Sequence, residues 1–147
     1  MKKSEIATEY FKNSFNCSQS VLAAFAPEMG VSAESCMKIA CAFGGGMGRQ
    51  QLTCGAVTAA LMVLGLKYGK GLNDENSKKM KTYEMSIAFM NEFKMNHKSI
   101  NCRELLNGLD MISDSQKINE LQLFETLCPK LVADAVVIAE KLLQEKP

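Results

Sequence analysis

Residues 53–68 read TCGAVTAALMVLGLKY, and this stretch determines the predicted fold. It is apolar on nearly every side of a helix, which is typical of a helix buried at the centre of a protein. Lys67 and Gly69 lie at its end, where a basic residue and a glycine favour a helix C-terminus. The apolar run within it, residues 56–66, is too short to span a bilayer. We therefore predict a buried central helix over residues 53–68.

The rest of the 147-residue chain also has helical hydrophobic spacing, and no stretch alternates convincingly as a strand would. A chain of this length can bury a core as one domain. We therefore predict an all-α fold over residues 1–147, a compact single-domain helical bundle around the central helix. The other predicted helices are 4–13, 17–26 (ending before Pro27), one from Ser32 to the glycines at 44–46, one following 73–74, a short one between Asn101 and 107–108, 114–127, and 129–144.

Several helix starts carry capping signals. Asn16 with Gln19, and Asn101 with Glu104, have the spacing of a capping box, in which two side chains bond the free N–H groups of the first turn. Pro129 suits the first position of the last helix, because a proline there loses no hydrogen bond.

The long fifth helix has an apolar seam. Met80, Tyr83, Ile87 and Met90 follow one another at spacings of three and four, so the seam faces either the core or a partner subunit. On this seam rests the prediction of a homodimer. His97, near the end of the same helix, is expected to be solvated and favoured by the helix dipole.

The composition limits the partners. The formal net charge is +1, and no stripe of Lys and Arg stands out, which argues against nucleic acid and anionic membranes as partners. The basic start, residues 1–5, has no apolar segment behind it, so no signal peptide is expected. These features indicate a cytoplasmic protein without membrane insertion.

Four of the six cysteines adjoin predicted helix starts: Cys17, Cys54, Cys102 and Cys128. A helix N-terminus stabilises a thiolate, so thiols placed there are expected to have lowered pKa values. In a reducing compartment, cysteines serve as catalytic thiols, metal ligands or core residues more often than as standing disulfides. The alternative for these four is that they only fill the core.

The segment GGGMGRQ, residues 44–50, is here called the glycine turn. The backbone N–H groups of Gly44, Gly45, Gly46 and Gly48 are candidates to cradle an anion or cofactor, with Arg49 adding a positive charge beside Cys54. The segment follows a helix and lacks the Lys-Ser/Thr of a P-loop, so nucleotide binding has weak support. The alternative is a tight crossing of two helices.

The remaining cysteines are weaker candidates. Cys36 and Cys41 lie about 140° apart around one helix, so they cannot easily bridge each other. Cys36 is expected to fill the core, and Cys41 to face the glycine turn.

With these motifs the chain resembles the bacterial family of redox-active proteins labelled C_GCAxxG_C_C. The matching segments are 16–21 (NCSQSV), 43–49 (FGGGMGR), 53–58 (TCGAVT), 61–69 (LMVLGLKYG), Cys102 with RELL behind it, and Cys128. The resemblance implies that the functional cysteines are Cys17, Cys54, Cys102 and Cys128. Where the family motif ends in glycine, this chain has Ala59.

The resemblance implies a redox role and names no reaction or redox partner. Our leading hypothesis is thiol–disulfide chemistry, with Cys54 as the activated thiolate, Cys17 as its partner, and Cys102 and Cys128 as a second pair or further members of the cluster. Such a protein would be a thiol-dependent oxidoreductase. The alternative is a metal-binding or electron-transfer module in which the same four thiolates hold zinc or an iron–sulfur cluster.

Overall fold

The central helix of the prediction is present as α4, Gly55–Tyr68, and α2, α5 and α8 pack around it. The computed structural model describes residues 1–145, so the last two residues of the predicted domain lie outside it. The described part is all-helical, as predicted, and its β-structure is one isolated bridge. The helices are α1 Lys3–Lys12, α2 Cys17–Met29, α3 Ala33–Ala40, α4 Gly55–Tyr68, α5 Asn76–His97, α6 Cys102–Leu105, α7 Ser115–Glu120 and α8 Leu123–Leu143, with a 3₁₀ turn at Cys41–Phe43.

Small side chains allow α4 to pack closely on its neighbours. Ala56, Ala59 and Ala60 are fully buried in it, together with Val57 and Val63. The C-terminal end of α4 is fixed to α8 by the hydroxyl of Tyr68, which donates to the carbonyl of Leu142 at 2.5 Å. The central helix is therefore held along its length and at its end.

Helix α2 is longer than predicted, because it continues through Pro27. The prediction of an end before this proline is wrong. Pro27 lies in the last turn, where its missing N–H interrupts the helix only two residues before its end. Gly30 terminates the helix with φ +70°, and its N–H donates to the carbonyls of Ala26 and Pro27.

The C-terminal third of the chain also differs from the prediction. Helix α8 runs unbroken from Leu123 to Leu143 and contains Pro129, so no helix begins at this proline. The break between helices lies earlier, at Gln122, whose φ of +54° ends the preceding segment. Pro129 is tolerated because it stands in the second turn of α8, where it removes one hydrogen bond near the helix start.

Most of the seam of α5 lies on the surface. Met80 is 59% exposed, Tyr83 54% and Ile87 56%, so the interpretation of the seam as a core face is wrong for these three. Met90, the fourth member, is half-buried and packs against the core. The core-facing side of α5 carries Met85, Phe89 and Phe93. The partner-subunit interpretation stays a prediction.

His97 is not solvated as expected. Its side chain is 8% exposed, and Nε2 lies 2.8 Å from Oδ2 of Asp134 on α8. The ring also packs against Phe93, with the ring centroids 4.8 Å apart. His97 therefore links the end of α5 to α8.

Within residues 1–145, no helix has both the length and the apolar character needed to cross a membrane.

Candidate functional site

The glycine turn is a run of left-handed backbone. Five consecutive residues, 45–49, have φ between +58° and +72°. Glycine adopts this conformation freely, whereas Met47 and Arg49 adopt it at a cost of about 1–2 kcal/mol each. Backbone hydrogen bonds close the turn, including one of 2.7 Å from Gly48 N–H to the carbonyl of Ala42. Strained backbone of this kind persists where the surrounding structure determines it, often at functional sites.

The turn is fixed to the start of α2 by Asn16. The predicted capping box is confirmed: Asn16 Oδ1 accepts from the Gln19 N–H at 3.0 Å, and Gln19 Oε1 accepts from the Asn16 N–H at 3.0 Å. The Asn16 Nδ2 also donates to the carbonyl of Cys41 at 2.9 Å. A Cβ on Gly44 would lie 2.2 Å from this side chain, so Gly44 is needed for the close approach of α2 to the turn. The tight-crossing interpretation fits Gly44.

A short β-bridge places Cys54 and Cys102 together. Thr53 and Asn101 form an antiparallel bridge. The N–H of each following cysteine donates across it, at N···O distances of 2.7 Å for Cys54 and 2.6 Å for Cys102. Cys54 and Cys102 both line a cavity, whereas Thr53 and Asn101 are not part of its lining.

The cavity has a volume of about 710 Å³ and is lined by Cys17, Cys54, Cys102 and Cys128 together. We call it the thiol cavity. All six cysteines of the chain are free thiols. Cys41 also borders the cavity, whereas Cys36 is buried and fills the core as expected. The cavity is further lined by Phe11, Ser14, Phe15, Asn16, Gly44, Gly45, Gly48, Arg49, Gly55, Leu105, Leu106, Met111, Phe124 and Leu131.

Three of the four cysteines stand where the sequence predicts them. Cys54 is the N-cap residue of α4, and Cys17 and Cys102 are the first residues of α2 and α6. The predicted helix-start position of Cys128 is wrong, because Cys128 lies in the second turn of the unbroken α8. It reaches the thiol cavity from the side of that helix. Ala59, which replaces the family glycine, is fully buried in α4 and is not part of the cavity lining.

The Cys17 sulfur lies in a cradle of backbone N–H groups. Burial raises the pKa of Cys17, and four N–H groups oppose that rise: those of Gly45, Ser18, Gly55 and Cys17 itself. A Cβ on Gly55 would lie 2.5 Å from the Cys17 sulfur, so only glycine leaves room for it. The glycine turn thus contributes Gly45 to a cradle for the chain's own sulfur.

The expectation of lowered thiol pKa values is wrong. Burial raises the pKa of Cys54 well above its ordinary value, that of Cys102 to about 11 and that of Cys128 to about 12. The N–H groups of Ala56 and Val57 lower the pKa of Cys54, but by less than burial raises it, since the residue is only 5% exposed. Loss of water outweighs the helix N-terminus at this site.

Cys17 is the electrostatic centre of the cluster. After burial, its negative charge is the largest influence that raises the pKa of Cys54, of Cys102 and of Cys128. A negative charge on Cys17 would therefore make the other three thiols harder to ionise. The positive charge of Arg103 lowers the pKa of Cys102. The sequence predicted such a charge beside Cys54, from Arg49, but Arg49 is not among the groups that shift the pKa of Cys54.

Sequence reasoning missed Gln51. Its side chain is buried, its φ is +58°, and it bonds both sides of the 109–111 segment. Nε2 donates to the carbonyl of Leu109 and Oε1 accepts from the N–H of Met111, each at 2.8 Å. It thereby holds Met111 against the thiol cavity. A glutamine after a polar turn carries no sequence signal for burial, so only the tertiary structure identifies it.

A shared metal site has no support in the arrangement of side chains. Among residues 1–145, no three His, Cys, Asp or Glu residues are placed to hold one metal ion. The zinc or iron–sulfur alternative stays a prediction from the sequence.

The raised pKa values have a consequence for stability. Thiols of an unfolded chain ionise near pH ~8.5, whereas those of the thiol cavity keep their protons to higher pH. The folded state then binds more protons than the unfolded state. The free energy of unfolding should therefore fall above pH ~8.5, by about 1.4 kcal/mol per pH unit for each such thiol, and stay level below it.

Urea unfolding of the reduced protein between pH 7.5 and 10.5 measures this effect. In Cys54→Ala, the slope of the unfolding free energy against pH should be shallower by the contribution of about one thiol. Cys41→Ala is the matched control, because Cys41 is exposed and its slope should equal that of the unchanged chain. An unchanged slope in Cys54→Ala would mean that Cys54 ionises as freely in the folded protein as in the unfolded chain.

These features define a class: an all-helical protein with four thiols gathered on one cavity beside a glycine-rich turn. The chain belongs to the family described as "Putative redox-active protein (C_GCAxxG_C_C)", whose model matches residues 15–142. The resemblance noted in the sequence is thereby confirmed. No curated protein and no solved structure matches the chain.

Proposed function

We propose that the chain is a thiol–disulfide redox protein in which Cys17 is the nucleophile and Cys54 resolves the intermediate. The observation that carries this proposal is the Cys17 sulfur, which lies in its cradle of N–H groups and over Gly55, next to Cys54. Cys17 is partly exposed, whereas Cys54 is buried, so an incoming molecule meets Cys17 first. The roles are the reverse of those expected from the sequence.

The reaction begins when the Cys17 thiolate attacks one sulfur of a small disulfide. The S–S bond of the substrate breaks, one half leaves as a thiolate with the bonding electron pair, and Cys17 holds the other half as a mixed disulfide. Cys54 then attacks the Cys17 sulfur, which releases the second half. The two protein thiols are oxidised to a disulfide, and their two protons end on the two thiols formed from the substrate.

Cys102 and Cys128 fit the role of a second pair. Both pack against the same small apolar cluster of Leu106, Ile118 and Leu123, whereas Cys17 and Cys54 belong to the main core. The charge on Cys102 also raises the pKa of Cys128, which reflects their proximity. This pair would reduce the Cys17–Cys54 disulfide by exchange. Free thiols in this number suit a reducing compartment such as the cytoplasm.

Mass spectrometry under exclusion of oxygen tests the proposal. One equivalent of a small disulfide should remove two hydrogens from the reduced chain, and peptide mapping should find Cys17 bonded to Cys54. Cys41→Ser is the control, since Cys41 borders the cavity but has no part in the reaction, and it should give the same product. A first disulfide without Cys17, or a chain purified with bound zinc or an iron–sulfur cluster, would contradict the proposal.

A further inference from the structure

The thiol cavity is much larger than two reacting sulfurs need. Its volume of about 710 Å³ falls within the roughly 300–1,000 Å³ typical of small-molecule sites. Phe11, Phe15 and Phe124 line it and are only partly buried, so apolar surface is open to a bound molecule. Leu105 and Leu131 complete the apolar wall. The cavity is therefore shaped for a molecule with an apolar body.

One charged side chain, exposed to solvent, borders this cavity. Among the described residues that line the cavity, Arg49 is the only charged side chain. Its neighbourhood within residues 1–145 offers no carboxylate at ion-pair distance, in contrast to Arg103, which pairs with Asp110 at 3.0 Å. A guanidinium without an anionic partner, at the edge of an apolar cavity, favours a negatively charged group on the ligand.

The backbone holds Arg49 beside the thiols. Its φ of +66° folds it back on the glycine turn, where its Cγ lies 3.0 Å from the place of a Cβ on Gly45. Gly45 lines the same cavity as Cys17, and its N–H is one of the groups that oppose the rise in the pKa of Cys17. An anion on Arg49 would therefore place the rest of its molecule next to the reactive sulfur.

We propose that the thiol cavity takes a small organic acid, with its acidic group on Arg49 and its apolar body against Phe11, Phe15 and Phe124. This inference rests on the proposed function, because it takes the cavity to be where Cys17 meets its substrate. It narrows the substrate class to disulfides that carry an acidic group on an apolar body.

Two aromatic disulfides of similar size test the role of Arg49. 5,5′-Dithiobis(2-nitrobenzoate) carries carboxylates, and 2,2′-dithiodipyridine is uncharged at pH 7.5. Arg49→Gln should lower the second-order rate with the first about tenfold, because a charge-assisted hydrogen bond is lost, and change the second less than about twofold. Arg49→Lys should react with the carboxylate-bearing disulfide at a rate between those of the unchanged chain and Arg49→Gln. Lys79→Gln, which removes one charge from the exposed side of α5, is the control and should leave both rates unchanged.

A redox-inert probe separates this inference from the proposed function. Calorimetry of the reduced chain with 2-naphthoate should show binding that Arg49→Gln weakens about tenfold. Naphthoate binding through Arg49 without any disulfide exchange would sustain the inference and refute the redox proposal. Equal losses of rate with both disulfides, or no dependence of naphthoate binding on Arg49, would overturn the inference, provided that the variant keeps its thermal midpoint.

Discussion

Gly55→Ala is expected to destabilise the reduced protein by about 2–3 kcal/mol, the upper range for overpacking a core. The new Cβ would lie 2.5 Å from the Cys17 sulfur, 2.9 Å from the carbonyl oxygen of Phe43 and 3.2 Å from the N of Ser18. Two of these neighbours are backbone atoms, which cannot rotate away. The substitution should also push the Cys17 sulfur out of its cradle. Urea unfolding measures the first effect, and the rate of disulfide exchange measures the second.

Gly65→Ala provides the matched control in the same helix. Apart from its chain neighbours and the adjoining backbone of its own helix, no atom lies within 4 Å of the place where its Cβ would be. Alanine is a better helix former than glycine, so this variant should be more stable by about 1 kcal/mol. The two substitutions are the same in chemistry and opposite in expected sign. If Gly55→Ala proved as harmless as Gly65→Ala, the close approach of Cys17 to α4 would be refuted.

Cys17→Ser should lower the rate of exchange with a small disulfide at least about 100-fold, because serine has no thiolate to attack with. Cys54→Ser should give a different result. It should still react, but stop at a mixed disulfide on Cys17, which adds the mass of one substrate half. Rapid-mixing kinetics and mass spectrometry of the trapped product measure the two effects.

Cys36→Ala controls for the loss of a thiol as such. Cys36 is buried in the core and does not border the thiol cavity, so the exchange rate should not change. The opposite pattern, with Cys17→Ser trapped as a mixed disulfide and Cys54→Ser inert, would restore the roles expected from the sequence.

The helical fold and the helix-start positions of Cys17, Cys54 and Cys102 could be predicted because they depend on local patterns. Spacing and apolar composition identify α4, and the capping box identifies the start of α2 at Cys17. The prolines misled the prediction in α2 and α8. A proline removes one hydrogen bond, and tertiary packing of a long apolar helix outweighs this loss.

The raised pKa values of the thiols could not be predicted, because they depend on contacts between distant segments. Cys54 is a helix N-cap, but its burial is decided by the packing of α4. The N–H groups of Gly45 and Gly55 reach Cys17 only in the folded chain. The burial of Gln51 could not be predicted for the same reason, because its side chain bonds the distant residues Leu109 and Met111.

The left-handed run of residues 45–49 also sets a rule for how this chain can change in length. A single residue inserted between Gly45 and Gly55 would change the spacing of these two glycines. One of their two N–H groups would then move away from Cys17. Insertions at 71–75 would lengthen an exposed connection at the other end of α4 from Cys54 and leave the thiols undisturbed. Across evolution, the short segment before α4 should therefore keep its length, while the connection after α4 is free to grow.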